Sequence, residues 1–260
     1  MIVTIFVLSL LAGFCSGLLG VGGAVLLIPL LWSVPRLFGV GTLTMHEVSG
    51  VTMVQVLAAS VAGYLAQRRN GFAHAPTVLA IGIPMGILSL AGATISKFMD
   101  GRVLLLIFGC LVVVALLLMV RRTPAGSDEP ADFTFSMRLA VGSGCGVGLL
   151  SGIVGAGGGF ILIPIMIGIL HMPIRVAVGS SLGIVFIGAL MGAMGKLITL
   201  QVEVAWLLPV LAGSLPASLA GVYVGKRVEA SRLRQILLLL IVLVLIKVWY
   251  DIFVLFAAGR

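Results

Sequence analysis

Charge is what this chain lacks most. Asp, Glu, Lys and Arg make up 9% of its 260 residues and hydrophobic residues 61%, where a soluble domain carries about 25% and about 45–50%. Such a chain cannot coat a water-facing surface, which excludes an ordinary soluble fold and predicts an all-α polytopic membrane protein. Acid is scarcest. The eight acidic residues are Glu47, Asp100, Asp128, Glu129, Asp132, Glu203, Glu229 and Asp251, all near segment ends or in one polar stretch. A cation or proton carrier places a carboxylate in mid-membrane, so their positions disfavour a metal-ion or drug-cation pump. The three cysteines, Cys15, Cys110 and Cys145, lie singly in apolar segments. Without spaced pairs they suggest neither a metal site nor a cofactor. No G-x-x-x-x-G-K-[ST] loop occurs, so ATP is not the direct energy source. The three histidines, His46, His74 and His171, fall in predicted loops. The N-terminus is apolar but lacks the basic start of a signal peptide, so it is expected to stay as structure.

What is present is a succession of apolar runs, each near the ~20 residues that span a bilayer. They run from about Ile2 to Val34, Val48 to Ala66, Pro76 to Phe98, Val103 to Val120, Met137 to Leu170, Val176 to Lys196, Val204 to Gly225 and Leu233 to Phe256. The formal charge of +8 comes from Lys and Arg set singly or in pairs between the runs. That pattern orients a chain in a membrane and does not form a nucleic-acid surface.

The second half repeats the first. "SGLLGVGGAVLLIPLL" (Ser16–Leu31) and "SGIVGAGGGFILIPIM" (Ser151–Met166) share eight identities in sixteen positions. Ser49–Gly63 then aligns with Val178–Gly192, pairing Thr52 with Ser181, and Ser89–Asp100 aligns with Ser218–Glu229. We therefore divide the chain into a first repeat (1–120), a polar linker (121–136) and a second repeat (137–260), together forming one transport domain of four apolar segments per half.

Two arrangements fit. If every segment crosses once, the repeats are parallel and Lys plus Arg divide seven to eight between the two sides. If the two glycine-broken segments turn back as re-entrant hairpins, the repeats are inverted. Arg68, Arg69, Arg121, Arg122, Arg138, Arg175, Lys226, Arg227, Arg232 and Arg234 then lie inside, against Arg36, Lys97, Arg102, Lys196 and Arg260 outside. Ten against five obeys the positive-inside tendency and favours inversion, with both termini outside the cytoplasm.

A broken helix within hydrocarbon needs protein or a water-filled cavity around its freed backbone. Gly20, Gly22 and Gly23, and Gly155, Gly157, Gly158 and Gly159, form the two breaks. Each break exposes the N–H end of a following short helix, which attracts anions without a charged side chain. Near them, Thr52, Gln55, Ser180 and Ser181 offer hydroxyl and amide donors suited to an oxyanion; the three hydroxyls suit helix–helix hydrogen bonds equally well, whereas the Gln55 amide, costlier to bury, leans towards the anion. Four spaced glycine pairs, Gly13/Gly17, Gly148/Gly152, Gly188/Gly192 and Gly221/Gly225, read as close-packing sites. Lys247 with Asp251 reads as an intrahelical pair, and His46 beside Glu47 as either a proton relay or an interfacial group. Ser151, flanked by glycines, is a nucleophile candidate with no predictable base nearby.

These elements, with "RVAVGSSLGIVFIGALMG" and "AGVYVGKRV", resemble the TauE/SafE family from about Leu11 to about Leu245. The resemblance implies a multi-pass protein of the bacterial inner membrane exporting sulfite, a sulfonate or a related sulfur oxyanion. The first half departs from the pattern, with Ala24 opposite Gly159 and "VSGVTM" opposite "AVGSSL", so the two half-sites are chemically unequal. The expected partners are a small anion and the lipid bilayer, with protons as a conceivable coupling ion and the oligomeric state open. The alternatives are a structural or regulatory membrane subunit and an intramembrane enzyme.

Overall fold

A computed structural model describes residues 1–69, 74–120 and 136–257. The linker expected at 121–136 thus lies outside the described residues except for its last. Among the described residues there are ten α-helices and no strand. They are α1 (Ile2–Leu19), α2 (Ala24–Leu37), α3 (Met45–Arg69), α4 (Ala75–Ile95), α5 (Gly101–Val120), α6 (Met137–Val154), α7 (Gly159–Gly168), α8 (Ile174–Ile198), α9 (Leu207–Gly225) and α10 (Ala230–Ala257). Eight helical stretches are long and apolar enough to cross a membrane, and α2 and α7 are the shorter apolar helices. Each glycine-broken segment is therefore two helices.

The crossing helices form a core and a shell. Met45–Ala66 of α3 and Val176–Ile198 of α8 are each 78% buried, whereas the other spans are 33 to 50% buried. The outer helices leave Leu79, Ile83, Leu117, Leu239 and Phe253 exposed, the apolar surface a lipid environment requires. Among helices in lipid, small residues bring backbones together. Gly13 meets the backbone of Ser214 and Gly17 that of Ser218, which joins α1 to α9. Gly148 meets Met85 and Gly152 meets Ser89, which joins α6 to α4. The spaced glycine pairs thus serve packing, as their spacing suggested.

Contact order along each helix pair gives its direction. Gly13 lies on Ser214 and Gly225 on Leu18, so α1 and α9 run the same way. So do α4 and α6, with Gly144 on Ile81 and Gly152 on Ser89, and α4 and α8, with Gly82 near Ile184 and Gly195 near Ala93. Helix α3 follows α9, with Gly50 on Gln201 and Gly63 on Ser218, and opposes α8, with Gly63 on Leu182 and Gly192 on Met53. Helices α5 and α10 oppose each other: Gly109 meets Val248, and Arg234 donates to the Met119 carbonyl at 3.1 Å. Hence α1 runs opposite to α6, α3 to α8, α4 to α9 and α5 to α10, each helix opposing its counterpart in the other half. These are the helix directions of the inverted arrangement.

The chain also turns back at both breaks. Gly41, beyond the end of α2, lies beside the Met1 side chain. Gly23 lies beside Ala12 and Gly158 beside Val147. Each returns to a level seven residues before the end of the preceding helix, about 10 Å back along the axis.

Two expectations need correction. His46 lies in the first turn of α3 and not in a loop. Thr44 and Glu47 cap that turn reciprocally: Glu47 Oε2 accepts from the Thr44 N–H at 2.6 Å, and Thr44 Oγ1 accepts from the Glu47 N–H at 3.3 Å. This capping box is written in the sequence as "TMHE". The second segment also continues past Ala66 to Arg69, because Gln and Arg are good helix formers.

Candidate functional site

Six of the seven break glycines hold left-handed backbone, with φ from 60° at Gly157 to 79° at Gly23 and Gly155. A side chain at such a φ clashes with the following carbonyl, so the turn needs glycine. Gly159 differs. It is the first residue of α7, and a Cβ there would strike the Val21 carbonyl and the Gly22 nitrogen. Its smallness lets the two hairpin tips touch. Val56 packs against both Gly22 and Gly157, and Val185, its partner in the repeat alignment, packs against Gly22.

The outer ends of the breaks are secured differently. Gly20 donates its N–H to the Ser16 carbonyl at 2.8 Å, and its own carbonyl lies 2.9 Å from the Ser181 hydroxyl that donates to it. Gly155 donates to the Ser151 carbonyl at 2.8 Å and lies against Ser49. The inner ends are left open. The Gly23 carbonyl accepts from Leu26 and Leu27, and the Gly158 carbonyl from Ile161 and Leu162. Among the described residues none accepts from the N–H groups of Gly22, Gly23, Ala24 or Val25, nor from those of Gly157, Gly158, Gly159 or Phe160. All eight residues are buried. Buried N–H groups without partners are rare, and here two sets meet at the centre of the fold.

Gln55 joins them. It is 0% exposed, neither atom of its amide has a hydrogen-bond partner, and a Cβ at Gly23 would lie 2.8 Å from its Nε2. The other predicted polar residues divide. Ser181 reaches the first break, as above. Thr52 spends its hydroxyl on the Val48 carbonyl one turn back, at 2.6 Å. Ser180 points away: its Oγ accepts the His74 N–H at 2.9 Å and ties α8 to the start of α4. Ser151 donates to the Gly148 carbonyl at 3.1 Å, which gives it no activating base. Gly20, Gly22, Gly23, Gln55, Gly155, Gly157, Gly158, Gly159 and Ser181 are thus gathered where the two breaks meet, while Thr52 bonds within its own helix and Ser180 ties α8 to the start of α4.

An apolar cleft of about 230 Å³ between α5, α6 and α7 reaches Ser151 and Gly158 from one side. Otherwise residues 16–25 and 151–166 are covered throughout.

Three residues near the second break escaped the sequence reading. Ser49 is fully buried with an unpartnered hydroxyl, hidden because it aligns with Val178. Lys196 and Ser96 looked like segment ends; both are 0% exposed and hydrogen-bonded to each other.

The chain matches the family model described as "Sulfite exporter TauE/SafE" over residues 5–248. A "Probable membrane transporter protein" of Xylella fastidiosa (strain 9a5c) is 33% identical over 165 residues, covering 63% of this chain and 61% of that protein. "Probable membrane transporter protein YunE" of Bacillus subtilis (strain 168) is 26% identical over 190 residues, covering 66% and 69%. The aligned region therefore spans about three fifths of the length of the Xylella relative. No solved structure matches the chain.

Proposed function

The chain belongs to the TauE/SafE sulfite exporter family, and from that premise we propose that it is a secondary transporter carrying a small sulfur oxyanion, such as sulfite or a sulfonate, out of the cytoplasm. The observation that carries this reading is the meeting of two sets of unpartnered, buried N–H groups beside the free amide of Gln55. Each helix N-terminus carries about half a positive charge. Two of them supply about one unit, matched to a monoanion, and no Asp or Glu is buried among the described residues. The helix reversals support the arrangement physically. They leave the N–H ends of α2 and α7 at the crossing and carry the carbonyl ends of α1 and α6 about 10 Å beyond it, to opposite sides.

In this reading the oxyanion accepts hydrogen bonds from Gly22 to Val25, from Gly157 to Phe160 and from Gln55 Nε2. Ser181 holds the first turn in shape through the Gly20 carbonyl. The covered breaks represent an occluded stage of alternating access, in which the halves move against each other around the crossing. Export is downhill in an inside-negative potential, by about 2.3 kcal/mol per charge per 100 mV, so it needs little further coupling.

The test is purified protein in liposomes loaded with labelled sulfite under an imposed potential. Efflux that exceeds empty-vesicle leakage and saturates is expected. Equality with protein-free vesicles across sulfite, sulfoacetate and taurine would remove the proposal.

A further inference from the structure

Lys196 is the one charged side chain that is fully buried among the described residues. It sits two residues before the end of α8. Its Nζ donates to Ser96 Oγ at 2.6 Å, Gln201 Oε1 at 3.0 Å and the Ile153 carbonyl at 3.2 Å. Three acceptors satisfy three ammonium hydrogens, and all are neutral. The ion pairs among the described residues are Arg232–Glu229 and Lys247–Asp251, so no carboxylate compensates Lys196. A buried ion left without a counter-charge is costly, and an ionisable group inside a membrane ordinarily marks a functional path.

A purely structural role does not require the charge. Ile153 ends α6 just before the second break, and that carbonyl end carries about half a negative charge. The equivalent end in the other half, at Gly20, is bonded by the neutral Ser181 hydroxyl. The repeat alignment places Gln67 opposite Lys196. A polar neutral group therefore suffices for the carbonyl end in the first half, and about half a positive charge in the second remains unmatched. Ser49 Oγ, unpartnered and 0% exposed, lies against Gly155, two residues from Ile153, and Gly50 lies on the backbone of Gln201.

We infer that Lys196, with Ser49, forms a second anion subsite on one side of the crossing, through which the oxyanion passes after leaving, or before reaching, the α2 and α7 N-termini. The transported ion supplies the counter-charge that the protein withholds. The loop-charge bias assigns this end to the non-cytoplasmic face, the release side for an exporter. The inference rests on the anion-transport reading above.

The decisive variants are Gln201→Glu and Lys196→Gln, assayed for labelled sulfite flux in liposomes beside the wild type, with melting temperature and elution profile as folding controls. Gln201→Glu keeps an oxygen on Nζ and installs the missing carboxylate. It is expected to raise KM at least tenfold in a folded protein. Lys196→Gln is expected to do the same, and Lys196→Arg to restore most of the affinity. Wild-type flux with unchanged KM in Gln201→Glu, or in a folded Lys196→Gln, overturns the subsite and leaves the transport reading intact. Absence of wild-type flux overturns both. If Lys196→Gln does not fold, Gln201→Glu decides alone; if neither folds, Lys196 is a structural residue and the subsite is rejected.

Discussion

Gln55 should make the empty protein less stable than it could be. Its amide is 0% exposed and neither polar atom is partnered. A buried polar group left unsatisfied costs about 1–3 kcal/mol. Gln55→Met keeps the length and the apolar contacts of the side chain while removing both groups. The ligand-free protein should therefore gain about 1–3 kcal/mol, a rise in Tm of about 2–10 °C for a chain of this size. The anion should lose a charge-assisted hydrogen bond worth about 1.5–3 kcal/mol, so its Kd should rise about 10- to 150-fold. Thermal unfolding in detergent across a sulfite titration reads both quantities, because a ligand bound only by the folded state raises Tm with its concentration. A lower Tm for the empty variant, with unchanged sulfite affinity, would refute the reasoning: the amide would then be a structural group with its own partners.

The hydroxyls give a ranked prediction: Ser181→Ala should raise the KM for sulfite several-fold, while Ser180→Ala and Thr52→Ala should leave it within twofold, because only Ser181 bonds a break residue. Gly158→Leu should abolish flux, since φ is +70° and a Cβ would lie 2.6 Å from Val147 Cγ1 beside the α7 N-terminus. Gly192→Leu should act through stability, because its Cβ would lie 2.6 Å from Met53 Cε and Ser89 Oγ where α8 packs on α3 and α4; overpacking of this kind costs about 1–3 kcal/mol and shows as a lower Tm with residual flux. Thr44→Ala should cost about 1 kcal/mol through loss of the capping box, with KM unchanged.

Much of this architecture is written in the sequence. Glycine at Gly20, Gly22, Gly23, Gly155, Gly157 and Gly158 is what a left-handed turn demands, and all six positions have positive φ. Glycines spaced four apart mark close helix contacts because backbone approach in lipid needs small residues. Loop charge leaned towards inversion because Lys and Arg resist transfer across the membrane. Other features are set by tertiary structure. Neighbours on a helix point about 100° apart, so Ser180 and Ser181 face different elements, and a linear reading cannot separate them. Lys196 resembles a boundary charge because α8 ends two residues later. Its burial follows from α4, α6 and the Gln201 loop closing over it, which no local pattern announces. The repeat alignment could have raised it: a cation opposite the uncharged Gln67 breaks the symmetry of the halves.

The central claim is that the two N–H ends hold the anion together. Selenite is a sulfite analogue with an anomalous scatterer. A crystal of this protein grown with selenite should show one strong anomalous peak between the first turns of α2 and α7, its oxygens within about 3.2 Å of their N–H groups and close to Gln55. Peaks only at the loop arginines, with the crossing unoccupied, would contradict the account.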